Sequence, residues 1–350
     1  MNKNMLHLPR FKSTVLVGIL TVLMAGTATG AIKDDESREL LERILEAHKQ
    51  QLAALANYTF RAQWDTNTSG PGDYLGSSSG TIHRIHQGDR RFFRHNSRTE
   101  VSGTPHGDVI NKMESVGALN EEYYATWAVD TITGKYISLK WYETPSDGTV
   151  PETASVFGSA ITHIRPLELA MGHGGKPLKS LVDSYPEEKI LFTCREETTA
   201  GGGQRIRVTI DRTAGKRPGT WASMLLNPAK GYMTEEAVVF GDDGLEFTTN
   251  VKLSEVRDGV WFPKEIVQDT TAPTANFQRR ANHFQLLDFR IGETYPDEQF
   301  TISALNTPKR LLNSMGVTRH YLDGRVEVTT LDGRDHRKGK KHASLSRAEE

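Results

Sequence analysis

Five long stretches of alternating apolar and polar residues follow one another in this chain, and they constrain its fold more than any other feature. They are Trp221 to Asn227, Tyr232 to Phe240, Leu245 to Val256, Val260 to Asp269 and Arg279 to Ile291. A period of two places alternate side chains on opposite faces of a sheet, and each stretch is at least as long as an ordinary strand. Since none of them carries a recognisable catalytic signature, they indicate a binding surface and not an active site.

Short turn signals join the first four of these stretches. Asn227-Pro228-Ala229-Lys230-Gly231, Asp242-Asp243-Gly244 and Asp258-Gly259 place Gly or Asp where the backbone needs positive φ. Consecutive strands with short turns predict an antiparallel meander. Pro263 lies inside one strand and cannot donate to the ladder, which predicts an edge or a bulge there. A gap in the sheet is therefore expected, because a closed barrel has no edges.

Ahead of the meander, Asp34 to Ala56 is predicted to form one amphipathic helix. Its apolar side recurs at intervals of three to four residues and consists of Leu41, Leu45, His48, Leu52 and Leu55. Such a side is stabilised only against an apolar surface, and the nearest candidate is the sheet. The sequence therefore predicts an α+β fold with a helix packed on an antiparallel sheet.

Further strands are predicted before the meander. They are Asn57 to Asp65, Thr81 to His86, Arg90 to Asn96, Tyr123 to Leu139 with a break at Thr133-Gly134, Lys189 to Glu197 and Arg205 to Asp211. A loop rich in Gly and Ser is predicted from Thr66 to Ser79. Short helices are predicted at Pro166 and from Leu178 to Ser184.

Residues 1–30 have the layout of a cleavable secretory signal, and cleavage is expected after Gly30 or Ala31. Basic residues precede an apolar run from Val15 to Ala25, and small residues follow it. The alternative is a membrane anchor, but the run is shorter than the roughly 20 residues that cross a bilayer. No cysteine follows the run, so no acyl anchor is predicted. The expected location is the periplasm or the extracellular medium.

The rest of the chain is expected to form one domain, residues 31–308, followed by a mostly disordered extension, residues 309–350. In the extension, Arg319 to Leu331 is consistent with a hairpin, whereas Arg334 to His342 is charged and without apolar anchors. A solvated tail and a docking site for an anionic partner are the two alternatives for that segment. The formal net charge of −1 favours neither nucleic acid nor an anionic membrane as a partner. A monomer is expected.

Several residues are similar to catalytic or metal-binding groups without their usual context. Ser78 fits a G-x-S-x-G pattern, but a loop is predicted before it and a strand after it, in place of a strand and a helix. His83 and His86 are three apart, which sends them to opposite faces of a strand, so no shared metal is predicted. Cys194 is the only cysteine, which excludes an intramolecular disulfide, and it is expected to be a small buried residue. No cofactor and no enzymatic activity are predicted.

The order of these elements and their residue patterns resemble those of one known family. An export signal and a lone helix are followed by Asn57-Tyr58-Thr59-Phe60, by Arg91-Phe92-Phe93-Arg94, by a strand at Ala125 to Asp130, and later by Gly259 to Lys264. This succession, from Asp34 to Ile302, resembles the outer-membrane lipoprotein carrier (LolA-like) superfamily and its larger bacterial relatives. The family's carriers have a Lys-Arg-Pro step where this chain has Gly88-Asp89-Arg90-Arg91, so no gating arginine is assigned.

The resemblance implies an open, strongly curved antiparallel sheet, an unclosed half-barrel, with helices on its concave face. It also implies a non-catalytic periplasmic protein that holds an acyl chain or lipoprotein, with a possible membrane-associated partner protein. Candidate ligand-lining residues are Leu45, Leu52, Phe60, Trp64, Trp127, Trp221, Phe247 and Phe262. The alternatives are a periplasmic regulator that senses lipid and binds a partner protein, and a hydrolase.

Overall fold

The structure is a computed structural model, and it describes the chain from Ala31 to Thr329 with internal gaps. The described ranges are 31–70, 75–103, 107–133, 135–143, 166–173, 176–184, 189–199, 201–213, 218–241, 246–271, 279–301 and 317–329. The predicted signal, residues 1–30, and the charged tail after residue 329 lie outside them. Among the helices of these ranges, none has the length and apolar character that a membrane crossing requires.

Eighteen strands and three α-helices lie in the described ranges. In the first half of the chain they are β1 (Ala31–Ile32), α1 (Asp35–Ala54), β2 (Asn57–Ser69), β3 (Leu75–Gln87), β4 (Arg90–Ser102), β5 (Val109–Leu119), β6 (Tyr123–Asp130) and β7 (Lys135–Glu143). The middle has α2 (Pro166–Ala170), β8 (Gly172–His173), β9 (Lys176–Pro177) and α3 (Leu178–Ser184). The remainder has β10 (Ile190–Thr198), β11 (Gln204–Arg212), β12 (Gly219–Asn227), β13 (Met233–Phe240), β14 (Glu246–Arg257), β15 (Val260–Thr271), β16 (Arg279–Ile291), β17 (Val317–His320) and β18 (Val326–Thr329).

One sheet contains sixteen of these strands. Their order is β1-β10-β11-β12-β13-β14-β15-β16-β2-β3-β4-β5-β6-β7-β17-β18. Neighbouring strands are antiparallel, except for β1 beside β10 and β17 beside β7. Strands β2 to β7 form one meander and β10 to β16 another, and β16 joins the two by pairing with β2. Within the described residues β1 and β18 do not pair with each other, which confirms the prediction of an open antiparallel sheet.

The predicted meander corresponds closely to β12 to β16, and two of its three predicted turns are confirmed, whereas Asp242-Asp243-Gly244 lies outside the described residues. Gly231 and Gly259 both have positive φ, 65° and 67°, in the turns before β13 and β15. Asn227 accepts a hydrogen bond from the Ala229 amide, which starts the first of these turns. Because the turns fix the pairing, the register of the sheet follows from the sequence.

Helix α1 begins where the sequence predicts, because Asp34 caps it. The Asp34 carboxylate accepts a hydrogen bond from the Ser37 amide at 2.7 Å. The buried side of the helix consists of Ser37, Leu40, Leu41, Ile44, His48 and Gln51. Leu52, which was predicted on that side, is 48% exposed. The buried side is rotated toward Leu40 and Ile44, so the prediction was wrong for Leu52.

Two predictions for the first meander were also wrong. The predicted loop from Thr66 to Ser79 is largely strand, because β2 extends to Ser69 and β3 begins at Leu75. The two strands pair over thirteen residues, so the backbones of these Gly and Ser positions find partners in the sheet. This pairing outweighs the weak strand propensity of Gly and Ser. Strand β5 was not predicted. Its burial changes from exposed positions at Val109 to five consecutive buried ones at its end, so it has no clear period of two.

Pro263 lies at a β-bulge, one of the two placements that its missing N–H allows. It faces Leu253 where the register between β14 and β15 shifts. The pairing of β15 with β16 covers only residues 265–271 of β15, whereas β16 continues along β2 as far as Ile291. Strands β15 and β16 therefore separate at Pro263, which leaves a local split in the middle of the sheet.

All three α-helices pack on the same face of the sheet, which is called the helix-covered face below. Helices α1 and α3 cover β10 to β13 through a cluster that includes Ile44, Leu181 and Phe192. Helix α2 covers β15, β16 and β2 through a second cluster that includes Met171 and Trp64. A third cluster lies on the opposite face, where a 3-10 helix at residues 297–300 covers β4 to β6.

The described part of the predicted C-terminal extension joins the sheet. Strands β17 and β18 form the predicted hairpin, and Gly324 has positive φ in its turn. Strand β17 pairs with β7, and Val317 is fully buried in the cluster on the opposite face. This hairpin is therefore part of the folded sheet.

Candidate functional site

Aromatic side chains fill the split between β15 and β16 on the helix-covered face. The ring of Phe262 lies 4.4 Å from that of Phe289, between centroids, across strands whose backbones no longer pair. Phe262 also lies 5.5 Å from Phe60 and 5.7 Å from Tyr58 on β2. Phe60 and Phe262 are fully buried. The sheet is thus held at its split by side-chain contact and not by backbone hydrogen bonds.

Next to this aromatic cluster, Trp64 and His95 form a pair with unsatisfied ring nitrogens. Their ring centroids are 5.3 Å apart, and the side chains are 1% and 3% exposed. Trp64 Nε1 and His95 Nε2 are buried and have no hydrogen-bond partner. Leaving a buried polar group unpaired costs about 1 to 3 kcal/mol, so each requires an explanation.

The register of three strands explains how this pair forms. Trp64 on β2 faces Gly80 on β3, and His95 on β4 faces Ile82, the next position of β3 on the same face. Because Gly80 has no side chain, the indole can reach over β3 toward β4. A Cβ at Gly80 would lie 1.9 Å from the Asn96 carbonyl oxygen, so the close approach of β3 and β4 requires glycine.

The helix-covered face between β2 and β5 also carries charge. Burial lowers the pKa of His95 to about 4, and Arg84 contributes to the decrease. At neutral pH the imidazole is therefore uncharged. Burial and then Glu168 of α2 raise the pKa of the Tyr58 hydroxyl, whereas Arg84 and Arg91 oppose the rise. Two arginines and one glutamate thus converge on the aromatic cluster.

Helix α1 is fastened to the sheet by polar contacts as well as by its apolar side. Gln51 Nε2 donates to the Gly259 carbonyl at 2.8 Å, and its Oε1 accepts from the Trp261 amide at 3.0 Å. His48 Nε2 donates to the Tyr232 carbonyl at 2.9 Å. At the other end of the helix, the Ser37 hydroxyl accepts from the Cys194 amide. These contacts join one helix to β10 and to two turns of the second meander.

A cleft of about 680 Å³ lies at one end of the sheet, where β2 to β5 and β16 meet. By register, most of its lining side chains are on the face opposite the helices, among them Ser77, Glu100 and Ile110. The same end of the sheet exposes several large apolar side chains: Leu75, Val109, Ile110, Phe240 and Phe247. The cleft is therefore separate from the aromatic cluster and lies beside an exposed apolar edge.

The eight candidate ligand-lining residues fall into different parts of the molecule. Phe60, Trp64 and Phe262 come together in one buried cluster on the helix-covered face. Leu45 and Trp221 are partly buried against the cluster beneath α1. Trp127 lies on the opposite face, packed with Phe300. Leu52 and Phe247 are exposed. The three residues of the buried cluster are the ones that the structure brings together.

Sequence reasoning missed His95, although the sequence contains a signal for it. The two-residue turn Gly88-Asp89 makes Gln87 face Arg90, and Gly88 has positive φ. Counting residues from that turn places His95 on the same face as Phe93, and it makes Ile82 the cross-strand partner of His95. The sequence predicts the strand from Arg90 to Asn96, but only its register with β3 places His95 beside Trp64.

The residues that are similar to catalytic or metal-binding groups have structural roles. Ser78 lies within β3, and its hydroxyl is 2.8 Å from that of Thr99. His83 contacts Thr59, whereas His86 stacks on Tyr58, so the two histidines lie on opposite faces as predicted. Cys194 is buried, as predicted, and burial raises the pKa of its thiol to about 12. The described ranges contain no group of three or more His, Cys, Asp or Glu placed to hold a metal ion.

Comparison with known proteins gives structural similarities only. No protein-family model and no curated protein matches the sequence. Among solved structures, a DUF1329 family protein from Desulfovibrio piger is 13% identical with a TM-score of 0.41, over 78% of this chain and 100% of that one. A domain from Vibrio parahaemolyticus described as outer membrane lipoprotein-sorting is 12% identical with a TM-score of 0.38, over 76% and 99%.

A LolA superfamily protein from Nitrosomonas europaea is 11% identical with a TM-score of 0.34, over 77% of this chain and 99% of that one. This superfamily is the one that the sequence resembles. At these identities and TM-scores the similarities assign no function to the chain.

Proposed function

We propose that this protein is a non-catalytic carrier that holds the acyl chain of a lipid or lipoprotein between the helix-covered face and its helices. The observation that carries the proposal is the aromatic cluster at the split between β15 and β16. There the sheet is held by Phe262 and Phe289 without backbone pairing. Side-chain contacts can separate without breaking a hydrogen-bonded ladder, so this is the place where an apolar ligand enters at least cost.

The chemistry of the surrounding surface supports an apolar ligand. The cluster on this part of the sheet contains Phe284, Leu167 and Met171 in addition to the rings at the split. Met171 directly follows α2, which is only five residues long, and its unbranched side chain adapts to different shapes. We propose that the helix-covered face is the concave side of a half-barrel, with α2 as the part of the cover nearest the ligand.

The proposal includes location and partners. The layout of residues 1–30 supports export to the periplasm, where an acyl chain cannot cross water without a carrier. The ligand is hydrophobic, and a membrane-associated partner protein delivers or receives it. The carrier acts as a monomer and without a cofactor or nucleic acid.

Binding of saturated fatty acids of increasing length tests the proposal. Each buried methylene contributes about 0.8 kcal/mol, so affinity should rise about fourfold per methylene until the space is filled. The measurement is competition against a fluorescent fatty acid with the purified, delipidated chain. Affinity that does not depend on chain length, or no binding of any apolar probe, would contradict the carrier.

Two neighbouring leucines provide a matched pair of variants. Leu286 faces Ala62 and packs against the aromatic cluster, whereas Leu287 is 53% exposed at the adjacent bulge. Leu286→Asn should weaken fatty acid binding at least tenfold, and Leu287→Asn should leave it within about twofold. Thermal melting of both variants separates a loss of binding from a loss of fold.

The exposed apolar edge at the strand ends favours a second candidate function, a regulator that binds a partner protein. Leu75, Val109 and Ile110 form part of this edge, and exposed apolar patches are typical of interaction sites. A regulator would form a stable complex with one partner protein, and Ile110→Asp would weaken that complex. The carrier predicts instead that Ile110→Asp leaves the affinity for fatty acid unchanged.

A further inference from the structure

We propose that Trp64 and His95 bind the anionic oxygen head group of an amphiphile whose acyl chain occupies the aromatic cluster. This inference rests on the proposed carrier function and specifies its ligand class: a long chain that ends in a carboxylate or a phosphate. It follows from two ring nitrogens that the fold buries together without giving them a partner.

The indole N–H of Trp64 is a donor and cannot accept, so only an acceptor atom can satisfy it. His95 Nε2 donates when the proton is on that nitrogen, and a neutral imidazole can adopt this tautomer. The ring centroids are 5.3 Å apart, so one head group can contact both rings. Oxygen atoms of a carboxylate or phosphate accept several hydrogen bonds at once.

The surrounding charge favours an anion over a neutral acceptor. Arg84 lowers the pKa of His95, and Arg91 lies on the same face, where it faces His86, the residue two positions along β3 from Arg84. Glu168 reaches the same region from α2. The two guanidinium groups and one carboxylate together give this part of the helix-covered face a net positive charge.

The position of the pair matches the shape of an amphiphile. Trp64 belongs to the same buried cluster as Phe60, Phe284 and Met171, so a polar contact and an apolar surface lie side by side. An acyl chain on the aromatic rings would place its head group at the pair. Both side chains are enclosed in this structure, so binding has to open space beside them.

Competition with ligands of one chain length tests the inference. The probes are palmitic acid, methyl palmitate and 1-palmitoyl lysophosphatidic acid, measured at pH 8 against a fluorescent fatty acid. We expect the delipidated full chain to bind at least one of the two anionic compounds about tenfold or more tightly than the ester. The anion with the larger preference identifies the head group as carboxylate or phosphate.

Two variants connect this preference to the pair. Trp64→Phe removes the indole N–H but keeps an aromatic ring, and His95→Phe removes both imidazole nitrogens. Each should reduce the preference for the anion over methyl palmitate to about twofold or less. The control is Trp141→Phe, since Trp141 lies on the opposite face beside Tyr123 and Tyr321.

The outcomes distinguish this inference from the proposed function. If acid, ester and lysophosphatidic acid bind equally to the wild-type chain, the carrier stands and the head-group site is wrong. The same conclusion holds if both variants keep the full preference. If no palmitoyl compound binds, the carrier itself is wrong. Should either Phe variant fail to fold, the wild-type preference together with His95→Gln decides.

Discussion

Two regions of the helix-covered face bury similar apolar side chains but differ in how their buried polar groups are hydrogen-bonded. Beneath α1, Phe192, Val208 and Met224 are fully buried, and the one serine of the helix that faces them is hydrogen-bonded to the Cys194 backbone. Between β2 and β4, Trp64 and His95 are equally buried, but each leaves a ring nitrogen without a partner. In the first region the polar contacts of α1 are made, and one buried hydroxyl, that of Thr234 beside Leu226, has no partner. The second region instead places two unpaired ring nitrogens side by side, which reduces stability.

This difference indicates which region is structural and which is functional. Selection for stability alone would replace an unpaired buried donor with an apolar group of similar shape, since that change is nearly neutral or stabilising. Departures from satisfied packing are expected at functional sites. The region beneath α1 therefore holds the fold together, and the region around Trp64 and His95 is where a ligand should act.

The largest effect is expected in the structural region. Phe192→Ala should lower the free energy of unfolding by about 3 to 5 kcal/mol, because it removes a ring that is fully buried beneath α1 and leaves a cavity. Phe247→Ala is the matched control, since Phe247 is on the same sheet but exposed, and it should cost less than about 1 kcal/mol. Urea unfolding measures both. Similar losses for the two variants would show that the region beneath α1 is not the structural centre.

A smaller effect is expected from His95 as the pH falls. Burial holds the pKa of His95 at about 4, below the ordinary value of 6.5. Between pH 6.5 and 4 the unfolded chain therefore binds a proton that the folded chain does not, so folding stability decreases as the pH falls through this window. Below the folded pKa the loss is complete, and above pH 6.5 the contribution to stability is fully present.

The variant His95→Phe isolates this contribution. The wild-type chain should lose about 2 to 3 kcal/mol more than the variant between pH 7 and pH 4.5, as measured by urea unfolding at each pH. His48 and His83 also have lowered pKa values because of burial, and they contribute with the same sign in both proteins. An identical pH dependence in the two proteins would mean that His95 is not enclosed as the structure has it.

The sequence predicts the second meander more completely than the first. Strands β12 to β16 alternate clearly, and turns with Gly or Asp separate the first four of them, so their bounds and order were predictable. Strand β5 and the Gly- and Ser-rich ends of β2 and β3 were not, because long-range pairing and not local pattern makes them strands.

The candidate site shows the same limit. Phe60, Trp64 and Phe262 were predicted as ligand-lining because they are large aromatics, and they do meet in one cluster. The same criterion selected Trp127, which lies on the opposite face. The residue type alone does not show on which face of the sheet a side chain lies, because that depends on the register across several strands. His95 was missed for this reason, although the turn at Gly88 contains the information.

The smallest effect on stability is expected for Trp64→Phe. The size of this effect is the sharpest test of whether the region around Trp64 and His95 differs from the region beneath α1. Phe keeps most of the apolar contacts of the indole with the aromatic cluster and removes a buried N–H that has no partner. The loss of packing and the removal of the unpaired donor oppose each other, so the free energy of unfolding should change by less than about 1 kcal/mol. The measurement is urea unfolding of the delipidated chain. A loss of 3 kcal/mol or more would show that the indole N–H is bonded in the folded protein, and Trp64 would then belong with the structural region.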